Sequence, residues 1–139
     1  MLSELVASYG RLAVATGKYI GAPHIAGPTV LRSDVVLLRR ILGNLIKNAL
    51  EASREGQTVS IAFLNNPRPR FSIHNEAVMS DAVRAQVFQR SFTTKDGSGR
   101  GLGCYSVKLL TEAYLGGQVR FASTAEAGTT FTVLLPPNH

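Results

Sequence analysis

The sequence predicts an α/β fold, a two-layer sandwich in which a mixed, mainly antiparallel sheet carries helices on one face. Three observations predict it. The stretch Leu37–Ala52 places apolar residues at Leu38, Ile41/Leu42, Leu45 and Ala49, the spacing of one helical face. Thr58–Leu64 and Arg70–Asn75 read as strands around the turn Asn65–Asn66–Pro67, and Gln118–Ser123 and Thr129–Leu135 as strands around Glu126–Ala127–Gly128. The segments then run helix, hairpin, helix, hairpin-like pair, helix, hairpin, without internal repeats.

Each element has its local reason. Leu2–Thr16 reads as a helix with Ser3 as N-cap and Leu5, Tyr9, Leu12 and Thr16 near one face. A strand is expected at Lys18–Ala22. Pro23, Gly27 and Pro28 then interrupt the chain before a short strand at Thr29–Arg32. Ser33 or Asp34 caps the long helix, and Gly56 supplies its stop. Ser80 caps a short helix over Asp81–Gln89. The Ser-, Thr- and Gly-rich segment Ser91–Gly101 reads as a loop leading into a helix from Leu102 to Leu115, which Gly116–Gly117 ends.

At 139 residues the chain is long enough for one domain with a real core, and a single domain over 1–139 is expected. Its single cysteine, Cys104, excludes an internal disulfide or a multi-thiolate zinc site and fits a reducing, cytoplasmic setting. No segment approaches ~18 continuous apolar residues, so direct membrane insertion is not expected. The net charge of +6 comes from scattered basic residues, Arg39–Arg40, Arg68–Arg70, Lys95–Arg100 and Lys108. That scatter favours a phosphate-bearing small ligand or an acidic protein partner over nucleic acid.

Two segments carry chemistry. On the long helix, Asn44, Asn48 and Glu51 form a narrow stripe offset from the apolar face, which puts the asparagines at the wall of a cleft. An amide oxygen from Asn48 is a suitable ligand for magnesium, a hard cation that shares its oxygen ligands among protein, water and phosphate. Downstream, Gly97, Gly99, Gly101 and Gly103 let backbone amides approach phosphate oxygens, and the following helix presents its N-terminus to the same anion. Lys95, Arg100 and Lys108 add positive charge there. The Walker pattern is absent, and a polar loop stands where a Rossmann fingerprint needs a strand.

Asn44-Leu-Ile-Lys-Asn48-Ala-Leu-Glu51-Ala resembles the N-box of the histidine-kinase-like ATPases, the family of sensor histidine kinases, DNA gyrase, mismatch-repair ATPases and heat-shock chaperones. Val87–Lys95 resembles the family's F-box, Gly97–Gly103 its second glycine box, and Gly128–Thr129–Thr130–Phe131 its terminal Gly-Thr-x-Phe strand. The resemblance covers nearly the whole chain and is closest to the ATP-binding domain of bacterial sensor histidine kinases. It implies a Bergerat-type fold, the cofactors ATP and Mg2+, and Asn48 as the metal ligand. Nucleotide contacts are then expected at Lys47, Asn48, Glu51, His74, Asn75, Lys95, Gly99, Arg100, Gly101, Leu102, Gly103 and Thr130.

Asn44 stands where hydrolysing branches of the family carry a glutamate base, and an amide cannot take up a proton. Phosphotransfer is therefore expected over hydrolysis, with Asn44 and Asn48 as the catalytic pair. The γ-phosphate would go to a histidine on a separate dimerisation domain and then to a response regulator. None of the three histidines stands in a phosphoacceptor context, and residues 1–17 are where a link from the dimerisation domain would enter. The first glycine box, Asp-x-Gly-x-Gly, departs most. With Met79 as the apolar residue after the box, His74 replaces its aspartate, and Glu76 and Val78 its glycines. Neutral His74 or the Asn75 amide oxygen offers the acceptor for adenine. The alternative is a scaffold of the same fold with impaired nucleotide binding.

Overall fold

The computed structural model describes residues 2–27, 33–65, 68–88 and 100–137, with 100–104 described in backbone only. In chain order the elements are α1 (Leu2–Ala15), β1 (Tyr19–Ile20), β2 (His24–Ala26), α2 (Val35–Ala52), β3 (Thr58–Asn65), β4 (Pro69–Asn75), α3 (Asp81–Gln86), α4 (Arg100–Leu109), a π-helical turn (Leu110–Tyr114), β5 (Gln118–Thr124) and β6 (Gly128–Leu134). The sheet runs β1-β3-β4-β6-β5, with β2 also on β3. The pairs β3–β4, β4–β6 and β5–β6 are antiparallel, whereas β1 and β2 lie parallel to β3. The expected mixed, mainly antiparallel sheet is what forms.

One strand of that sheet was not expected. His24–Ala26 pairs with Ala62–Leu64, further along the same edge of β3 that holds Tyr19–Ile20. Between them Gly21, Ala22 and Pro23 lie opposite only Ser60 and Ile61, an extra residue that slips the register by one. Pro23 has no N–H to give the ladder, so the interruption falls there. The strand expected at Thr29–Arg32 lies outside the described residues, as do Asn66 and Pro67 of the first hairpin turn.

Helix α2 is the inner layer. Asp34 is its N-cap, accepting from the Leu37 N–H at 3.1 Å. Leu38, Ile41, Leu42, Leu45, Ile46, Ala49 and Leu50 are all buried on it. Its end is set by Ser53 rather than by Gly56: the buried Ser53 hydroxyl and backbone N–H both reach the Ala49 carbonyl. Lys18 adds a charged donor to the Leu50 carbonyl at 2.7 Å, at the negative end of the helix dipole. Gly56, at φ +85°, serves the turn that follows.

Helix α1 packs on α2 and gives Leu2 and Ala13 to the core, with Leu5, Val6 and Tyr9 partly buried. Leu12 faces solvent, so the apolar face is turned from the one expected. The approach is close: a Cβ on Gly43 of α2 would stand 3.0 Å from the Tyr9 hydroxyl. Of residues 2–15, Leu2 and Ala13 join the buried core.

Candidate functional site

Successive residues of a strand point to opposite faces, so the register sorts every strand residue. On the helix-facing side, Phe63, Phe71, Val133 and Val119 form one row, and Ile61, Ile73, Phe131 and Phe121 the next. Both rows are apolar, and all but Phe121 are fully buried. Two residues on, the same face carries Asn75, Thr129 and Ser123 side by side across β4, β6 and β5. Each is at least 97% buried, at 3%, 3% and 2% exposure. A polar row therefore ends an apolar core at one edge.

Its hydroxyl hydrogens are all committed. The Met79 N–H donates to Ser123 Oγ at 2.8 Å. Thr129 Oγ1 donates to the Ala77 carbonyl at 2.7 Å, so the 2.7 Å Ser123–Thr129 contact must run from the serine hydroxyl to the threonine oxygen. Arg84 donates to the Ser123 carbonyl, and Ser80 caps α3 through the Val83 N–H. These bonds fasten residues 77–84 over the end of the sheet. The Asn75 amide is different: its buried Nδ2 has no partner among the described residues.

Gly128 makes the row fit. It has φ +77°, and a Cβ there would run into the Asn75 carbonyl oxygen and crowd Glu76. Phe88, just after α3, packs edge-on against Phe121 and Phe131, with ring centroids 5.7 and 6.2 Å apart. The Lys108 ammonium of α4 lies 5.4 Å from the Phe88 ring centre. The segment leading toward residue 89 is thereby anchored on the helix-facing side of the sheet.

On α2, Asn44 and Asn48 are half-buried beside the fully buried stripe, while Lys47 and Glu51 are exposed. This agrees with a stripe offset from the apolar centre. Asn48 and Glu51 are each engaged with a neighbour. Among the described residues no group of three His, Cys, Asp or Glu side chains could hold a metal ion. A cation here would depend on an amide oxygen such as that of Asn48, together with phosphate and water oxygens, the mixed shell that suits magnesium.

Two expected contacts fall on the other face. His74 pairs with Ser60 and Thr130, and Thr130 with Ala122, in a row that points away from the helices. The His74 ring contacts the Ala127 carbonyl through Nε2 at 2.6 Å, tying β4 to the β5–β6 turn. Asn75 and Thr129 take the inward positions instead. The signal for Thr129 and Ser123 is present in the alternation: each lies two residues from an aromatic on the helix-facing side, Phe131 or Phe121. Aligning the box on Met79 places His74, rather than Asn75, in the aspartate's position.

The altered glycine box also takes its own course. No non-glycine among the described residues has positive φ, so Val78 sits without strain. Glu76 turns back to accept from the Thr58 N–H at 2.8 Å. In the second box, Lys95 and Gly99 lie outside the described residues. Arg100, Gly101, Leu102 and Gly103 form the backbone of the first turn of α4, which begins two residues earlier than expected. That helix passes into the π-turn at Leu110 rather than continuing as α-helix to Leu115, and Gly116, at φ +70°, follows it. No helix among the described residues is long and apolar enough to cross a membrane.

The family model for the histidine kinase-, DNA gyrase B- and HSP90-like ATPases matches residues 33–139. The chain is 34% identical over 115 residues to the sensor protein FixL of Bradyrhizobium diazoefficiens, a match covering 79% of this chain and 22% of that protein. It is 33% identical over 102 residues to a probable C4-dicarboxylate sensor kinase of Halalkalibacterium halodurans, covering 69% of this chain and 19% of the relative. The chain thus spans about a fifth of the length of these relatives. Among solved structures, the catalytic domain of the histidine kinase ThkA superposes with a TM-score of 0.80 at 22% identity, covering 99% of this chain and 92% of that one. ThkA in complex with the response regulator protein TrrA superposes with a TM-score of 0.77 at 20% identity, covering 99% of this chain and 39% of that one. With its two-layer fold, the half-buried Asn44 and Asn48 and a match over residues 33–139, the chain belongs to the histidine kinase-, DNA gyrase B- and HSP90-like ATPase family, as an ATP-binding domain of the sensor histidine kinase type.

Proposed function

We propose that this domain holds Mg-ATP between the Asn44–Asn48 stripe of α2 and the Asn75–Thr129 end of the sheet, and serves as the catalytic part of a sensor histidine kinase. The observation that carries the reading is the buried polar row Asn75–Thr129–Ser123 on the same side of the sheet as α2. Buried polar groups at the end of an apolar core need a reason, and a purine edge supplies one.

Asn48 would supply the protein's oxygen to magnesium, and magnesium would neutralise phosphate charge. Asn44 has no proton-accepting capacity, so its role would be to bind and orient the nucleotide and not to activate water. The phosphate acceptor would be a histidine on a separate dimerisation domain, with transfer onward to a response regulator. The ThkA complex with the response regulator protein TrrA supports a response regulator as partner by analogy of fold. Arg100–Gly103, in the first turn of α4, would present backbone amides to the phosphates. Lys95 and Gly99 keep the roles that the sequence suggests.

The test is calorimetric titration of ATP and ADP into the domain, with and without magnesium, beside Asn48→Asp. Magnesium-dependent binding that fails in the variant supports the reading. A folded domain that binds no nucleotide at millimolar concentration overturns it and favours the scaffold, for which the Glu76–Thr58 tie across the altered box is the supporting observation.

A further inference from the structure

We infer that Asn75 makes this nucleotide site permissive for 6-oxopurine as well as 6-aminopurine nucleotides; the inference rests on the nucleotide-binding reading above and adds base selectivity to it. The ground is a mismatch in hydrogen-bonding capacity within the buried polar row. Thr129 spends its hydroxyl hydrogen on the Ala77 carbonyl and Ser123 spends its own on Thr129, so neither can donate to a ligand without breaking that chain. Among the described residues, the Asn75 Nδ2 is the one buried side-chain donor of the row without a partner, in a residue 97% buried.

An N–H held out of water without an acceptor is costly, so a ligand that brings an acceptor is favoured. The amide carries a donor and an acceptor side by side. Facing adenine, its oxygen accepts from the 6-amino group while its NH2 donates to a ring nitrogen. After a half-turn about Cβ–Cγ, its NH2 donates to the 6-oxo group of guanine or hypoxanthine while its oxygen accepts from the N1–H. Both pairings are bidentate and complete. A carboxylate at this position has no donor and would repel a 6-oxo group, so the amide removes a basis for rejecting guanine.

The test measures Kd for Mg-ATP and Mg-GTP by calorimetry on the wild-type domain and on Asn75→Asp, with thermal melts showing that each is folded. The expected result is GTP binding within about tenfold of ATP in the wild type, and a relative loss of GTP of at least about tenfold in Asn75→Asp. ATP binding with GTP more than about tenfold weaker in the wild type overturns the inference and leaves the nucleotide site standing. An unchanged ratio in a folded Asn75→Asp variant also overturns it. Binding of neither nucleotide to the folded wild type overturns both. Should Asn75→Asp fail to fold, the wild-type ratio alone decides.

Discussion

Asn75 and Thr129 face each other across β4 and β6, directly paired, both turned toward the helix layer and both almost wholly buried. Each follows or precedes a core aromatic or aliphatic residue by two positions, Ile73 in β4 and Phe131 in β6. The pair therefore belongs to the core by geometry and to the site by chemistry.

Thr129→Val should show this double role. It leaves the Ala77 carbonyl without its donor and the Ser123 hydroxyl without its acceptor, a loss of about 1–3 kcal/mol. Thr130→Val, one residue along on the other face, should stay within about 0.5 kcal/mol of wild type. Urea denaturation of the two variants gives the comparison, and equal effects would contradict the assignment of faces.

Gly128→Ala should be more severe than either. It forces a Cβ into the left-handed region at φ +77° and against the Asn75 carbonyl oxygen, which is backbone and cannot swing aside. A destabilisation of about 2–4 kcal/mol is expected in chemical denaturation. A near-neutral result would mean that the β4–β6 approach is looser than described.

Beside the Ser53 cap, Lys18 steadies the end of α2, its ammonium donating to the Leu50 carbonyl. Lys18→Met keeps the stem and removes the donor, and should lower stability by about 1 kcal/mol, read from the urea midpoint. Asp34→Ala at the other end should cost about the same through loss of the Leu37 N–H bond.

Much of this was legible in the sequence because α2 and the paired strands carry their burial in their spacing. Leu38, Ile41, Leu42, Leu45 and Ala49 are buried as their helical period requires. Asn44 and Asn48 are half-buried beside them for the same reason. His24–Ala26 escaped because three residues around Pro23 and Gly27 have no periodicity of their own; they become a strand only through the edge of β3. On α1 the spacing does not single out a face: Leu5, Tyr9 and Leu12 fit one as well as the face that packs, Leu2, Leu5/Val6, Tyr9 and Ala13. Residue chemistry and motif position point to His74 and Thr130. The period-two alternation from Ile73 and Phe131 instead directs Asn75 and Thr129 inward.

The most direct measurement is the affinity for Mg-ATP of Asn75→Ala beside His74→Ala, both shown to be folded. A nucleotide held on the helix-facing side predicts a loss of about tenfold or more for Asn75→Ala, the worth of one buried hydrogen-bonded contact, and less than about twofold for His74→Ala. A large loss for His74→Ala with Asn75→Ala unaffected would place the base on the opposite face of the sheet and contradict the account.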